Sequence, residues 1–343
     1  MSAWRGDLLG PEAGVEPLPP ACVAELDALA ARLQADPLPT LALETPTLAT
    51  AMPAARALMQ HVRRQLDEGL GFALLDRLPV RRWGAELSAQ VFFVLMSLLS
   101  QPVAQKYSPT SGPAVPIEPL LSPTVVDGTF IYSVRDTGRS VGNGVRPDST
   151  NLDQNLHTDN AYNLLPPRFV SLLCLRQAAR GGVSQLVSFE TVHELMRARH
   201  PDLVGRLFED FAIDRQREHD PTDAPVLRRP LFTRSDGPGG REGLGPSRMP
   251  VRVQIENGYA LAGGELDARG EAALGALLSV MEQDGLAHTM TLEEGQIQIV
   301  DNGKVGHKRT AFVDNVEVAD GEARHLLRIW MRDDGGRSYH GRL

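Results

Sequence analysis

Two short polar segments far apart in the chain limit what it can fold into. They are Leu156-His157-Thr158-Asp159 and Asp301-Asn302-Gly303-Lys304-Val305-Gly306-His307-Lys308-Arg309-Thr310. Together they carry two imidazoles and a carboxylate, and His307 follows Asp159 by 148 residues. On an extended segment, side chains two apart point the same way, so His157 and Asp159 project together while Thr158 turns aside. A third partner has to come from a strand remote in sequence and adjacent in space. His307 is the candidate, because it follows a strand-like run at 296–300 and the turn-forming Asp301-Asn302-Gly303. Two histidines and one carboxylate on one side of a metal, with the opposite positions open, form the donor set of non-haem iron(II) oxygenases.

A lone His-x-Asp is common, and most such histidines are ordinary hydrogen-bonded side chains. His61, His193, His200, His219, His288 and His340 are read that way, in structural or surface roles. The surrounding texture has to decide. Residues 21–33, 53–69 and 83–99 carry helical apolar patterns, the second with proline at its start and glycine at its end. Residues 71–75 read as a short buried strand. Further strands are expected at 129–134, 169–175, 183–189, 226–232, 251–255, 296–300 and 326–331, and a helix at 191–211. Stretches 137–151 and 233–248 are rich in turn formers and read as loops that could cover a site. Many short strands between turn signals suggest a sandwich or barrel. No repeat or linker divides the chain. The expectation is one domain over 1–343, with a helical part to about residue 120 packed on a β core over about 121–343.

The balance of 35 lysines and arginines against 43 aspartates and glutamates, net −8, argues against a nucleic acid or an anionic membrane as partner. It leaves a small molecule, with a homo-oligomer left open. Cys22 and Cys174 do not make a disulfide scaffold and read as buried free thiols in a reducing compartment. The start shows no leader pattern, and the longest apolar stretch, near 91–99, is too short to span a bilayer, so a cytoplasmic protein is expected.

The run from Leu156 through Tyr162, followed by Pro167-Arg168-Phe169-Val170, resembles the first ligand motif of the taurine dioxygenase (TauD/TfdA) family, which includes clavaminate synthase. Asp301-Asn302 through His307-Lys308-Arg309-Thr310-Ala311-Phe312 resembles that family's distal-histidine motif. The likeness runs from about Asn151 to Arg332 and fades before residue 120. It implies a mainly β fold with flanking helices and a double-stranded β-helix, or jelly-roll, core. It also implies an iron(II)/2-oxoglutarate-dependent dioxygenase using O2, with His157, Asp159 and His307 as the metal ligands and catalytic centre. In the family, two arginines four apart follow the distal histidine. By position Arg324 takes the far carboxylate of 2-oxoglutarate and Arg328 an anionic group of the substrate, although the two could be exchanged. A planar guanidinium suits either task because it grips a carboxylate with two parallel bonds. Gly181-Gly182-Val183-Ser184 is similar to the family's Gly-Gly-x-Thr segment, so Ser184 would donate to the co-substrate. Asn155 and Tyr162 flank the metal motif and are assigned to substrate, and His325 faces away from the arginines. Halogenating relatives lack the carboxylate ligand, so Asp159 disfavours halogenation.

The reaction implied is oxidation, above all hydroxylation, of an unactivated C–H bond of a small anionic metabolite. An amino acid or a derivative in natural-product biosynthesis fits that description. Desaturation, cyclisation or epoxidation by the same centre is the alternative within the class. Outside it stand a mononuclear zinc hydrolase, which would not need paired arginines, and a non-catalytic β-barrel binding protein with a degenerate site.

Overall fold

The computed structural model describes residues 3–36, 51–105, 129–138, 147–236, 242–314 and 323–340. Along the chain these form strands β1 (Val15–Pro17), β2 (Phe72–Asp76), β3 (Gln101–Val103), β4 (Ile131–Val134), β5 (Phe169–Arg176), β6 (Arg180–Gly181), β7 (Ser184–Ser188) and β8 (Phe211–Asp214). The second half adds β9 (Val226–Arg229), β10 (Arg234–Asp236), β11 (Glu242–Leu244), β12 (His288–Met290), β13 (Ile297–Asp301), β14 (Val305–Arg309), β15 (Phe312–Val313) and β16 (His325–Arg332). The main helices are α1 (Pro20–Ala35), α2 (Pro53–Glu68), α3 (Val80–Ser97), α4 (Phe189–Arg199), α5 (Arg252–Leu261) and α6 (Ala268–Met281).

A seven-stranded sheet runs β1-β2-β13-β5-β16-β3, with β4 also pairing β16. All its pairs are antiparallel except β1 with β2. Strict alternation sends its side chains to two different places. Phe169, Leu173 and Leu175 of β5, with Leu327, Ile329 and Met331 of β16, join the buried faces of α1, α2 and α3. Val170 and Trp330 point the other way and meet Leu186 of β7 and Val305 of β14. A sheet buried on both faces needs near-continuous apolar strands, and 169–175 supplies one. The second sheet, β12-β7-β14, therefore lies across the inner face of the first. The N-terminal part is more than a helical layer, since β1, β2 and β3 are strands of the large sheet.

Several expectations change. Residues 251–255 are not a strand but the start of α5. The alternating Val251, Val253 and Ile255 mislead, because Val253 is 52% exposed while Gln254, Ile255 and Gly258 form the buried side. Gln254 Oε1 accepts from the Val251 amide at 3.1 Å and fixes the helix start there. The helix expected over 191–211 stops at Arg199, before Pro201, as the steric demand of proline requires. A helical turn at Pro201–Val204 and a 3-10 turn at Gly205–Phe208 follow, and Phe211 opens β8. Helix α6 was not foreseen, although Asp267 caps it by accepting from the Gly270 amide at 2.8 Å. In the loop expected over 233–248, β10 and β11 pair as a hairpin, and residues 237–241 lie outside the described ones. Of the loop expected over 137–151, residues 139–146 lie outside them too, and Pro147–Ser149 is a 3-10 turn. Both cysteines are buried and unpaired. No described helix is long and apolar enough to cross a membrane.

Candidate metal centre and its two cavities

His157 and Asp159 do not share a strand, as the sequence reading assumed. His157 forms an isolated antiparallel bridge with His307: its amide donates to the His307 carbonyl at 3.0 Å, and its carbonyl accepts from the His307 amide at 2.9 Å. That one bridge makes neighbours of residues remote in sequence. Thr158 does turn away, exchanging hydrogen bonds with Met249. Asp159 sits in the following turn, clamped by Asn302, whose Oδ1 accepts from the Asp159 amide at 2.8 Å. Asn302 Nδ2 donates to the carbonyls of Asp159 and Pro167, each at 3.0 Å.

One donor atom from each of His157, Asp159 and His307 lies within 4.8 Å of the others. Asp159 Oδ1 is 3.3 Å from Nε2 of each imidazole. That is the spacing of donors sharing one ion with bonds of about 2.1 Å. His157 Nδ1 lies 2.8 Å from the Asn155 carbonyl, which leaves the Nε2 lone pair for a metal. Asp159 Oδ2 accepts from Trp330 Nε1 at 2.6 Å and lies 3.2 Å from Arg328 Nη1. Burial alone would raise the Asp159 carboxyl, but Arg328 and the two imidazoles hold it well below the usual carboxylate range. Burial pulls His307 down, against the pull of Asp159. At His157 burial also lowers, but the Asp159 contact outweighs it and the shift is upward. Three donor atoms at this spacing, an ionised carboxylate among them, are what a shared metal ion requires. The donor set therefore fits a divalent ion.

Two cavities meet at this point. A small one of about 60 Å³ is lined by His307, Ser184, Arg324, Arg309 and Gln298. Arg324 is only 6% exposed, and burial, with Arg309 nearby, pushes its guanidinium down to about 10. It lies 4.9 Å over the Phe312 ring, and among the described residues its guanidinium makes no hydrogen bond. Gly181 and Gly182 (φ 76° and 69°) let the chain pass close by, and a Cβ on Gly182 would sit 3.1 Å from Arg324 Nε. A buried cation without a bound acid costs several kcal/mol, so this site calls for an anion.

The larger cleft, about 1200 Å³, opens on the other side of His157 and Asp159. Asn155, Tyr162, Asp214, Arg217 and Glu218 line it, and Arg328 borders both cavities. Arg328 reaches Asp148 at 3.3 Å and Gln105 Oε1 at 2.9 Å, and it stacks on the Tyr132 and Trp330 rings. Tyr162 donates to Glu218 at 3.1 Å. The predicted site residues thus surround the two cavities. His325 faces elsewhere, 3.0 Å from Ser133 Oγ, as expected. Sequence reasoning missed Asn302, which reads as a turn former, and Trp330, which reads as core. Asp148 and Glu218 sit on turns, and no pattern marked them.

A family model described as "Taurine catabolism dioxygenase TauD, TfdA family" matches residues 34–330. FR-33289 synthase of Streptomyces rubellomurinus is 27% identical over 293 residues, covering 84% of this chain and 77% of that one. The taurine hydroxylase-like protein SAT17 of Stachybotrys chartarum is 28% identical over 183 residues, 52% of this chain and 42% of that one. Asparagine oxygenase, solved with Fe(II), (2S,3S)-3-hydroxyasparagine and succinate, superposes with a TM-score of 0.64 at 20% identity, covering 94% of both chains. The non-haem iron oxygenase OrfP, solved with Fe and α-ketoglutaric acid, gives 0.63 at 17% identity over 93% of this chain and 94% of that one. The two sheets are thus those of the double-stranded β-helix oxygenases.

Proposed function

The chain belongs to the taurine catabolism dioxygenase TauD, TfdA family, and on that premise we propose an iron(II)/2-oxoglutarate-dependent dioxygenase that hydroxylates an unactivated C–H bond of an amino acid or a derivative. His157, Asp159 and His307 would hold the iron. Arg324, assisted by Ser184, would take the far carboxylate of 2-oxoglutarate. The observation that carries this reading is the buried Arg324 guanidinium, unbonded among the described residues, in a cavity that also opens on His307. Hydrolysis at a zinc ion does not require such a cation beside the metal.

Ferrous iron bound here would supply, with 2-oxoglutarate and O2, the oxidising power for the C–H bond, the co-substrate leaving as succinate and carbon dioxide. The protein's part is binding, orientation and exclusion of water. Arg324 fixes one end of the co-substrate and so directs its other end to the metal. Ser184, 6% exposed, offers a hydroxyl donor in the same cavity. On the cleft side, Arg328 offers charge to a substrate carboxylate, which would compete with Asp148 for it. Asp214 and Glu218 on the cleft lining suit an ammonium group, and Asn155 and Tyr162 complete the wall. A zwitterionic amino acid satisfies both signs, and asparagine oxygenase and OrfP, solved with hydroxylated amino acids, support that choice. We read the described elements as one catalytic unit, and the buried free thiols as those of a cytoplasmic protein.

The test is anaerobic addition of iron(II) and 2-oxoglutarate, followed by visible spectroscopy. A metal-to-ligand charge-transfer band should form and shift when the right amino acid is added, and air should then yield succinate. No band, or hydrolysis supported by zinc alone, would overturn the proposal.

A further inference from the structure

We infer that Trp330 is a positioning residue of the metal centre, whose indole N–H keeps Asp159 on a single ligating oxygen. The inference rests on the reading that His157, Asp159 and His307 hold a divalent metal. The two oxygens of Asp159 have separate surroundings: Oδ1 faces both imidazoles at 3.3 Å, and Oδ2 accepts from Trp330 Nε1 at 2.6 Å. An indole has one N–H and no acceptor, so its single hydrogen-bond donor is spent on Asp159. Trp330 is 2% exposed and Asp159 5%, so solvent has little access to compete for either group. The acceptor is ionised, which strengthens the bond. Arg328 also reaches Oδ2, but its guanidinium is divided among Asp159, Asp148 and Gln105.

An Oδ2 without its donor could rotate onto the metal. The carboxylate would then chelate through both oxygens and fill a position that co-substrate or oxygen needs. The ring is braced against that outcome. Arg328 lies 4.9 Å over one part of it, and the Tyr339 ring packs beside it at 6.4 Å and 32°. Tyr339 is anchored in turn. Its hydroxyl donates to Asn160 Oδ1 at 2.7 Å, and its carbonyl accepts from Asn163 at 2.8 Å and Arg332 at 3.0 Å. Residues near the end of β16 and just beyond it therefore fix the angle from which the indole reaches the iron ligand.

Trp330→Phe keeps an aromatic ring but loses the five-membered ring together with its N–H. The experiment compares wild type and this variant by cobalt(II) titration without turnover, reading the visible d–d bands, and by metal-free melting temperature. The expected result is a metal-free protein that still unfolds cooperatively, at a temperature lowered by the smaller side chain, a cobalt affinity that differs from the wild type's, and an altered band envelope. Equal affinity with an identical envelope overturns the inference and leaves the metal reading standing. A wild type that binds no cobalt overturns both. If Trp330→Phe does not fold, the wild type decides. Its three tryptophans give three indole N–H resonances, assigned by elimination with Trp4→Phe and Trp83→Phe. Zinc(II) must shift the resonance of Trp330, and one that stays in place overturns the inference.

Discussion

Charge without a partner marks the site at the scale of single residues. Arg324→Ala should raise the 2-oxoglutarate concentration needed for half-maximal succinate formation by at least tenfold while metal still binds. Arg324→Lys should recover only part of the loss, since an ammonium makes no parallel pair of bonds to a carboxylate. An unchanged requirement in the alanine variant would remove Arg324 from this role. Asp301 yields a second prediction. Burial pushes its carboxyl up to about 6, against the attraction of Lys304 and Arg168 at 3.7 Å and 3.9 Å. The unfolded chain releases that proton near pH 3.9. This group therefore contributes stability below about pH 4 that is lost as pH rises through about 6, a swing of about 3 kcal/mol. Asp301→Asn should remove that part of the pH dependence. Urea unfolding of both proteins between roughly pH 4 and 7 measures it, and parallel curves would refute it. His157, Asp159 and His307 were legible because their atoms name their chemistry. Trp330 was not: an indole in an apolar strand looks like packing, and only the position of Asp159 Oδ2 shows otherwise.

Elements explain which parts of the fold could be read in advance. Strand β5 and helix α2 announce themselves, one by a near-continuous apolar run and the other by proline at its start and glycine after its end. Helix α5 does not, because what decides it is the face that fits against β8. Gly258 lies on that face, and a Cβ there would come within 2.5 Å of the Ala212 carbonyl oxygen and 2.7 Å of the Ile213 nitrogen. Alanine is the better helix former by about 1 kcal/mol. Overpacking against backbone that cannot yield costs about 1–3 kcal/mol, so Gly258→Ala should destabilise. In α6, a Cβ on Gly275 would meet nothing within 4 Å, so the same change there should stabilise by up to about 1 kcal/mol. Denaturant midpoints of the two variants should move in opposite directions. If both rise, the close packing of α5 on β8 is wrong. The consequence reaches function, because Asp214 at the end of β8 and Gln254 and Asn257 of α5 line the large cleft. Gly258→Ala should therefore weaken substrate binding more than 2-oxoglutarate binding.

Across the whole molecule, the centre lies where the two sheets face each other. His307 and Ser184 come from the small sheet, Arg328 and Trp330 from the large one, and Arg324 directly precedes its strand β16. Loops carry His157 and Asp159 between them, tied to the small sheet by the bridge to His307. Bound metal and co-substrate would thus cross-link two layers that meet through contacts such as Val170 and Trp330 with Leu186 and Val305. A ligand that binds only the folded state at 100 times its dissociation constant stabilises by about 2.7 kcal/mol. For a chain of this size that corresponds to a rise of roughly 4 °C in melting temperature. Manganese(II) under nitrogen should therefore raise the melting temperature, and 2-oxoglutarate added with it should raise it again. His307→Ala should lose both increments. Arg324→Ala should keep the first and lose the second, because its cation belongs to the co-substrate cavity and touches no proposed metal ligand. A second increment that survives in Arg324→Ala would mean that the dicarboxylate docks elsewhere, and the division of the site into a co-substrate cavity and a substrate cleft would have to be redrawn around Arg328.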